Sequence, residues 1–197
     1  MSDEVHTEAH GQVAEPQDKL DPETRARREA ALRLVRKYGD PVLRSRALEI
    51  DRFDAALVDE VRRMGKLMHD AYGIGLAATQ VGVMHRLLVY RTELEGSVAA
   101  LVNPVLEWSS KEKESSEEGC LSLPGVGVDV ERPVHVRVAA LDEYGKHILV
   151  EASGLEARVI QHEMDHLDGV LILDKTSRDQ RKQAMRTLRE QLEPSTA

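Results

Sequence analysis

The chain has 197 residues, 41% of them hydrophobic but only 3% aromatic, with a formal net charge of -8 and a single cysteine. That length suits one domain with a core of Leu, Val, Ile and Met. The acidic balance argues against general nucleic-acid or anionic-membrane binding, and the lone Cys120 excludes an internal disulfide and suits a reducing cytosol.

No run approaches the roughly 18 apolar residues of a membrane span, and the N-terminus shows no basic-then-apolar signal pattern. The sequence therefore predicts a cytoplasmic protein with no membrane partner. Residues 1–21 are acidic and polar without hydrophobic period, and read as a disordered tail. A single domain is expected over 22–192, followed by a short tail at 193–197.

Within the domain, residues 22–30 suit a short helix with Asp21 as cap and Pro22 at its first position. Residues 32–36 read as extended, and Gly39-Asp40-Pro41 as a turn. From 54 to 72, Leu57, Val58, Val61, Met64, Met68 and Ala71 recur at helical spacing, with Asp54 as cap and Gly73 as terminator. Gly73-x-Gly75-x-x-Ala78 superficially matches a dinucleotide fingerprint. That fingerprint requires a strand before it, and here a helix precedes it. A plain loop is one use for this run; close backbone approach to a ligand, with Gln80 offering an amide donor, is the other.

Short strands are expected at 86–90 and 99–102, the second ended by Asn103-Pro104. Residues 111–117 read as a charged solvated loop. Apolar alternation over Val128, Val130, Val134, Val136 and Val138 predicts strand across 126–141, and 147–151 adds another. Strands outnumber helices without regular βαβ alternation, so the fold class is α+β: antiparallel β-sheets around a central helix at 155–167, with a core N-terminal helix and a basic C-terminal helix at 177–192.

The central helix contains His162-Glu163-x-x-His166. Residues four apart share a helix face, so both imidazoles can address one metal ion while Glu163 reaches bound water as general base. Two surface histidines on an amphipathic helix are the bland alternative. Catalytic sites of this type use three protein ligands, and Cys120, within Glu118-Gly-Cys-Leu-Ser122, is the one soft candidate for the third. A buried structural thiol or a histidine-activated nucleophile are its other readings.

Taken together, Gly73-Ile-Gly-Leu-Ala-Ala-Thr-Gln80, Glu118-Gly-Cys-Leu-Ser122 and Gln161-His-Glu-Met-Asp-His-Leu-Asp-Gly169 closely resemble the peptide deformylase family. Gly39-Asp-Pro-Val-Leu43 also looks like the family's early turn, so the similarity covers roughly 32–189. The resemblance implies a hydrolase that removes the formyl group from N-formylmethionyl nascent chains and releases formate. It implies one divalent metal ion on Cys120, His162 and His166, natively Fe(II), with Zn, Ni or Co as substitutes. It also implies the Gln80 side chain and the Leu121 N–H as oxyanion donors, and Ile74, Gly75 and Leu76 along the substrate groove.

Val159, one turn before His162 and Glu163, is expected to wall the methionine pocket. Some family members carry an arginine where Gly127 falls, and there it helps hold the substrate backbone. Glu118 and Arg132 are either a pair that holds the cysteine loop or two independent charges, and Asp165 lies beside the site or at the surface. The basic stretch 175–189 is either a solvated helix face or, as the resemblance implies, a ribosome-docking element. A general metallopeptidase and a non-enzymatic, metal-stabilised binding module are the competing readings.

Overall fold

The computed structural model describes residues 20–93 and 96–192. Of the predicted tails at 1–21 and 193–197, residues 1–19 and 193–197 lie outside the described residues. Helix α1, Pro22–Leu34, begins as the sequence indicates: Pro22 occupies the first turn and the Asp21 carboxylate accepts from the N–H groups of Glu23 and Thr24 at 3.0 and 3.1 Å. It runs on through residues expected to be extended. Ala31 is buried and the Arg28 guanidinium donates to the Ala71 carbonyl at 3.3 Å, so packing on the next helix carries α1 to Leu34.

Helix α2, Ala55–Asp70, is capped by Asp54 and buries Leu57, Met64 and Met68 along one stripe. Its end differs in detail from expectation. Tyr72, rather than Gly73, takes the left-handed conformation (φ 60°), and the Gly73 N–H returns to the Met68 carbonyl at 2.9 Å.

Strands β1 (Gly75–Ala77), β2 (Leu87–Tyr90), β3 (Ala99–Ser109), β6 (His135–Leu141) and β7 (His147–Ser153) form an antiparallel sheet in the order β1-β2-β3-β6-β7. A separate hairpin joins β4 (Lys113–Cys120) to β5 (Leu123–Pro133). Three expectations are corrected here. Residues expected to form a charged loop instead build β4, because β5 satisfies their main chain while their side chains stay in solvent and pair across strands, as Lys113 does with Glu131 at 3.0 Å. The alternating stretch 126–141 is two strands in different sheets, parted at Pro133, whose ring cannot donate to a ladder.

β3 also passes through Asn103-Pro104 instead of ending there. Asn103 adopts φ 51° in a bulge, and its side-chain amide exchanges hydrogen bonds with the Ile50 main chain at 2.9 and 2.7 Å.

Helix α3, Gly154–Leu167, lies against the large sheet. Beneath it Ala157, Val159, Ile160 and Leu167 pack on Leu88, Leu101, Val136 and Val138. On the other face of β1 and β2, Leu76, Leu87 and Val89 meet Met64 and Met68 of α2. Helix α4, Arg178–Leu192, buries Ala184 and Leu188 against Leu123, Val128 and Val130 of β5. The HExxH helix is thus enclosed by the two sheets.

Candidate metal centre

On α3, Arg158, His162 and His166 succeed one another at intervals of one turn, and all three are buried. The β4–β5 hairpin brings Cys120 to the same place. One ligand atom from each of Cys120, His162 and His166 lies within 4.8 Å of the others, with Cys120 Sγ 3.3 Å from His166 Nε2. His162 Nε2 has no hydrogen-bond partner among the described residues. A buried imidazole nitrogen without a partner is costly unless something else completes its valence. A cation held by a thiolate and neutral rings would do so, and the residues present fit one.

His162 is aimed by a buried charge cluster. Its Nδ1 lies 2.9 Å from Glu118 Oε2, which fixes the ring so that Nε2 turns toward Cys120 and His166. Glu118 also accepts from Arg132 through both of its oxygens and from Arg158 Nη1 at 2.8 Å. Burial alone would raise its pKa, but the Arg132 and His162 hydrogen bonds outweigh burial and hold the carboxyl well below the usual carboxylate range.

Arg132 further donates to Asp165 at 2.8 Å, and Asp165 also meets Lys175 at 2.9 Å. Glu118 and Arg132 are therefore partners and not independent charges. Burial disfavours the charged form of His162, yet the neighbouring Cys120, Glu118 and Glu163 groups raise its pKa to about 10, so a cation taken up at Nε2 would displace a proton. For His166, burial and then the positive charges of His162 and Arg132 push the pKa well below its ordinary value.

Glu163 is fully buried, and β1 is shaped around it. A Cβ on Gly75 would fall 2.2 Å from Glu163 Oε1, so that glycine is required by the carboxylate that touches it. Gln80 is held by both ends of its amide. Its Oε1 accepts from the Ala77 N–H at 3.0 Å, while its Nε2 donates to Ser122 Oγ at 3.1 Å and toward Cys120 Sγ at 3.7 Å. Leu121 follows Cys120 directly, buried against the α2 side of the sheet.

Of the residues expected to line a substrate groove and methionine pocket, Ile74 and Val159 share the apolar cluster under α3, whereas the Leu76 side chain turns to the opposite face with α2. Strand alternation leaves Leu76 only its backbone to offer. β1 is the outermost strand of its sheet. At Gly127, a Cβ would meet Glu117 Oε1 at 2.6 Å, so the Glu117 carboxylate lies where a longer side chain would begin.

The sequence reading missed four supporting residues. Arg158 was signalled by its place one turn before His162. Arg91, whose N–H and Nε hold the Ile74 and Gly73 carbonyls at 2.9 and 3.0 Å, gave no local signal. The same holds for Ser122 and for Thr79, whose hydroxyl donates to the His166 carbonyl at 3.2 Å.

A buried Cys-His-His set with a carboxylate on the same helix, inside an α+β fold of antiparallel sheets, is the arrangement of a metallohydrolase. The family model described as polypeptide deformylase matches residues 32–182. The peptide deformylase of Acidothermus cellulolyticus is 44% identical over 160 residues, covering 81% of this chain and 87% of that protein. That of Clostridium botulinum is 44% identical over 149 residues, covering 75% of this chain and 99% of its own. Among solved structures, a Synechococcus elongatus peptide deformylase in complex with actinonin superposes with a TM-score of 0.74 at 44% identity, covering 78% of this chain and 84% of that one. A Plasmodium falciparum peptide deformylase gives 0.76 at 37% identity, covering 79% and 93%. The chain belongs to the peptide deformylase family.

Proposed function

We propose that Cys120, His162 and His166 hold one divalent metal ion, Fe(II) in the native enzyme with Zn, Ni or Co as substitutes, and that Glu163 is the general base and acid of deformylation. As a member of its family the chain is an enzyme, a hydrolase that removes the N-formyl group from N-formylmethionyl nascent polypeptides and releases formate. The observation that carries the assignment of roles is the convergence of three buried ligand atoms, all within 4.8 Å of one another, beside a buried Glu163.

Bound there, a divalent ion would lower the pKa of a water and polarise the formyl oxygen. Glu163 takes the proton of the attacking water and returns it to the departing amine as the C–N bond breaks, one carboxylate serving in both directions. The Gln80 amide and the Leu121 N–H face the oxygen on which negative charge develops. With its carbonyl end tied to Ala77 and its NH2 turned toward Cys120, Gln80 is oriented as a donor. The incoming peptide lies along β1 as an added strand, using the backbone of Ile74, Gly75 and Leu76, while Ile74 and Val159 wall the methionine side chain.

A cytoplasmic location accords with the buried, unpaired Cys120. Among the described residues no helix is long and apolar enough to cross a membrane. The outward face of α4 is the proposed ribosome contact, since Arg178, Arg181, Lys182, Arg186 and Arg189 are all exposed there.

The test is formate release from formyl-Met-Ala-Ser, with metal content measured on the same anaerobic sample. Stoichiometric metal without formate release would refute the assignment.

A further inference from the structure

Residues 36–38 follow α1 and cross directly over the two segments that carry the oxyanion donors. The Arg36 N–H donates to the Gln80 carbonyl at 2.7 Å, and the Tyr38 N–H donates to the Ser122 carbonyl at 2.9 Å. Between them, the Lys37 ammonium reaches the Leu121 carbonyl at 3.0 Å, a contact spanning 84 residues of sequence. Three consecutive residues therefore hold both donor-bearing turns, two through main chain and one through a charge.

The main-chain bonds on either side already tether the loop, so anchoring alone does not call for an ammonium. Partial burial disfavours that charge, and Lys37 sits below its ordinary pKa for this reason first; the negative charge of Cys120 acts in the opposite direction. A charged donor on a carbonyl is also stronger and more directional than a neutral one. Lys37 fixes the plane of the peptide that follows Leu121, while its charge faces the Cys120 side of the same loop.

We propose that Lys37 is a positioning residue for deformylation, holding the Cys120–Ser122 backbone so that the Leu121 N–H stays aimed at the developing oxyanion. This rests on the assignment of Leu121 as an oxyanion donor. Losing a direct donor costs roughly 100-fold to 1,000-fold in kcat. Lys37 acts through the loop and should cost less, about tenfold, the scale of a small misalignment.

The experiment compares wild type, Lys37→Met and Lys37→Arg with formyl-Met-Ala-Ser, measuring kcat, KM, metal content and melting temperature on each. Lys37→Met should keep one metal per chain and a KM within about twofold of wild type while kcat falls about tenfold, and Lys37→Arg should restore kcat to within about threefold. Should Lys37→Met fail to fold or load metal, Lys37→Gln, which keeps a donor but not the charge, is judged by the same criteria. A metal-loaded neutral variant with unchanged kcat would overturn the proposal, as would a loss carried by KM or one that Lys37→Arg leaves unrestored. An inactive, metal-loaded wild type would instead refute the deformylase reading itself, so the two failures are distinguishable.

Discussion

Glu163 and Cys120 stand at one centre but should fail differently when removed. If Glu163 handles protons without ligating the ion, as proposed, Glu163→Ala should retain metal and lose roughly 100-fold to 10,000-fold in kcat, the usual range for a general acid–base group. Cys120→Ala removes a ligand and should lose metal on dialysis instead. Metal analysis beside formate release separates the two, and a fully metallated, active Cys120→Ala would remove the thiol from the site. Gly75 makes a sharper case, because its neighbour explains it: an added methyl would sit 2.2 Å from the Glu163 oxygen. Gly75→Ala must therefore displace either β1 or the carboxylate. With displacements near 1 Å costing about 100-fold, kcat should drop on that order while metal content and melting temperature change little. Activity within twofold of wild type would mean that β1 yields without disturbing the base.

At the level of elements, what could be read in advance followed from periodicity. The α2 and α3 stripes repeat every three to four residues, and their predicted limits lie within two residues of those observed. β4 was illegible for a physical reason: Lys113 to Glu117 is almost wholly solvated, so its strand character comes from the partner's main chain and not from an apolar pattern of its own. The same holds for the supports of the site. Ser122, Arg91 and Thr79 act through contacts between distant segments, which no local spacing encodes.

One such contact joins two turns far apart in the sequence. Asp174 accepts from Arg44 in the turn Pro41–Arg44 and from the Leu171 N–H at 2.9 Å. Burial would raise its pKa, but Arg44 and the Leu171 N–H more than offset this and lower it. A folded-state value below the unfolded one, about 3.9, gives stability that is present above that pH and lost as pH falls through the folded value. Wild type should therefore melt above Asp174→Asn at pH 6, with the gap narrowing by pH 3. An equal gap at both pH values would show that the charge contributes nothing.

For the whole molecule, charge is unevenly spread: a chain of net charge -8 turns a basic helix outward at its C-terminal end. Arg181 lies 3.9 Å from Asp174 and helps hold that corner, so Lys182, Arg186 and Arg189 are the better test of docking. Replacing these three with Glu should weaken co-sedimentation with ribosomes at low salt, and raising the salt should weaken the wild-type interaction too, because phosphate contacts release counterions. Hydrolysis of a short formyl peptide should stay nearly unchanged. Co-sedimentation indifferent to both would reduce α4 to a solvated face.

The outermost strand of the large sheet has a different significance at this scale. All three residues of β1 are buried, so the edge that ends the sheet lies sunk between α3 and its neighbours. Burying a sheet edge limits the edge-to-edge pairing that a long exposed strand would invite. A peptide that adds to β1 as proposed must be a loose, extended chain end, and three residues of backbone give it only a short grip. On that proposed reading the enzyme meets polypeptides while their ends are still loose, and is shut out once the end has folded away.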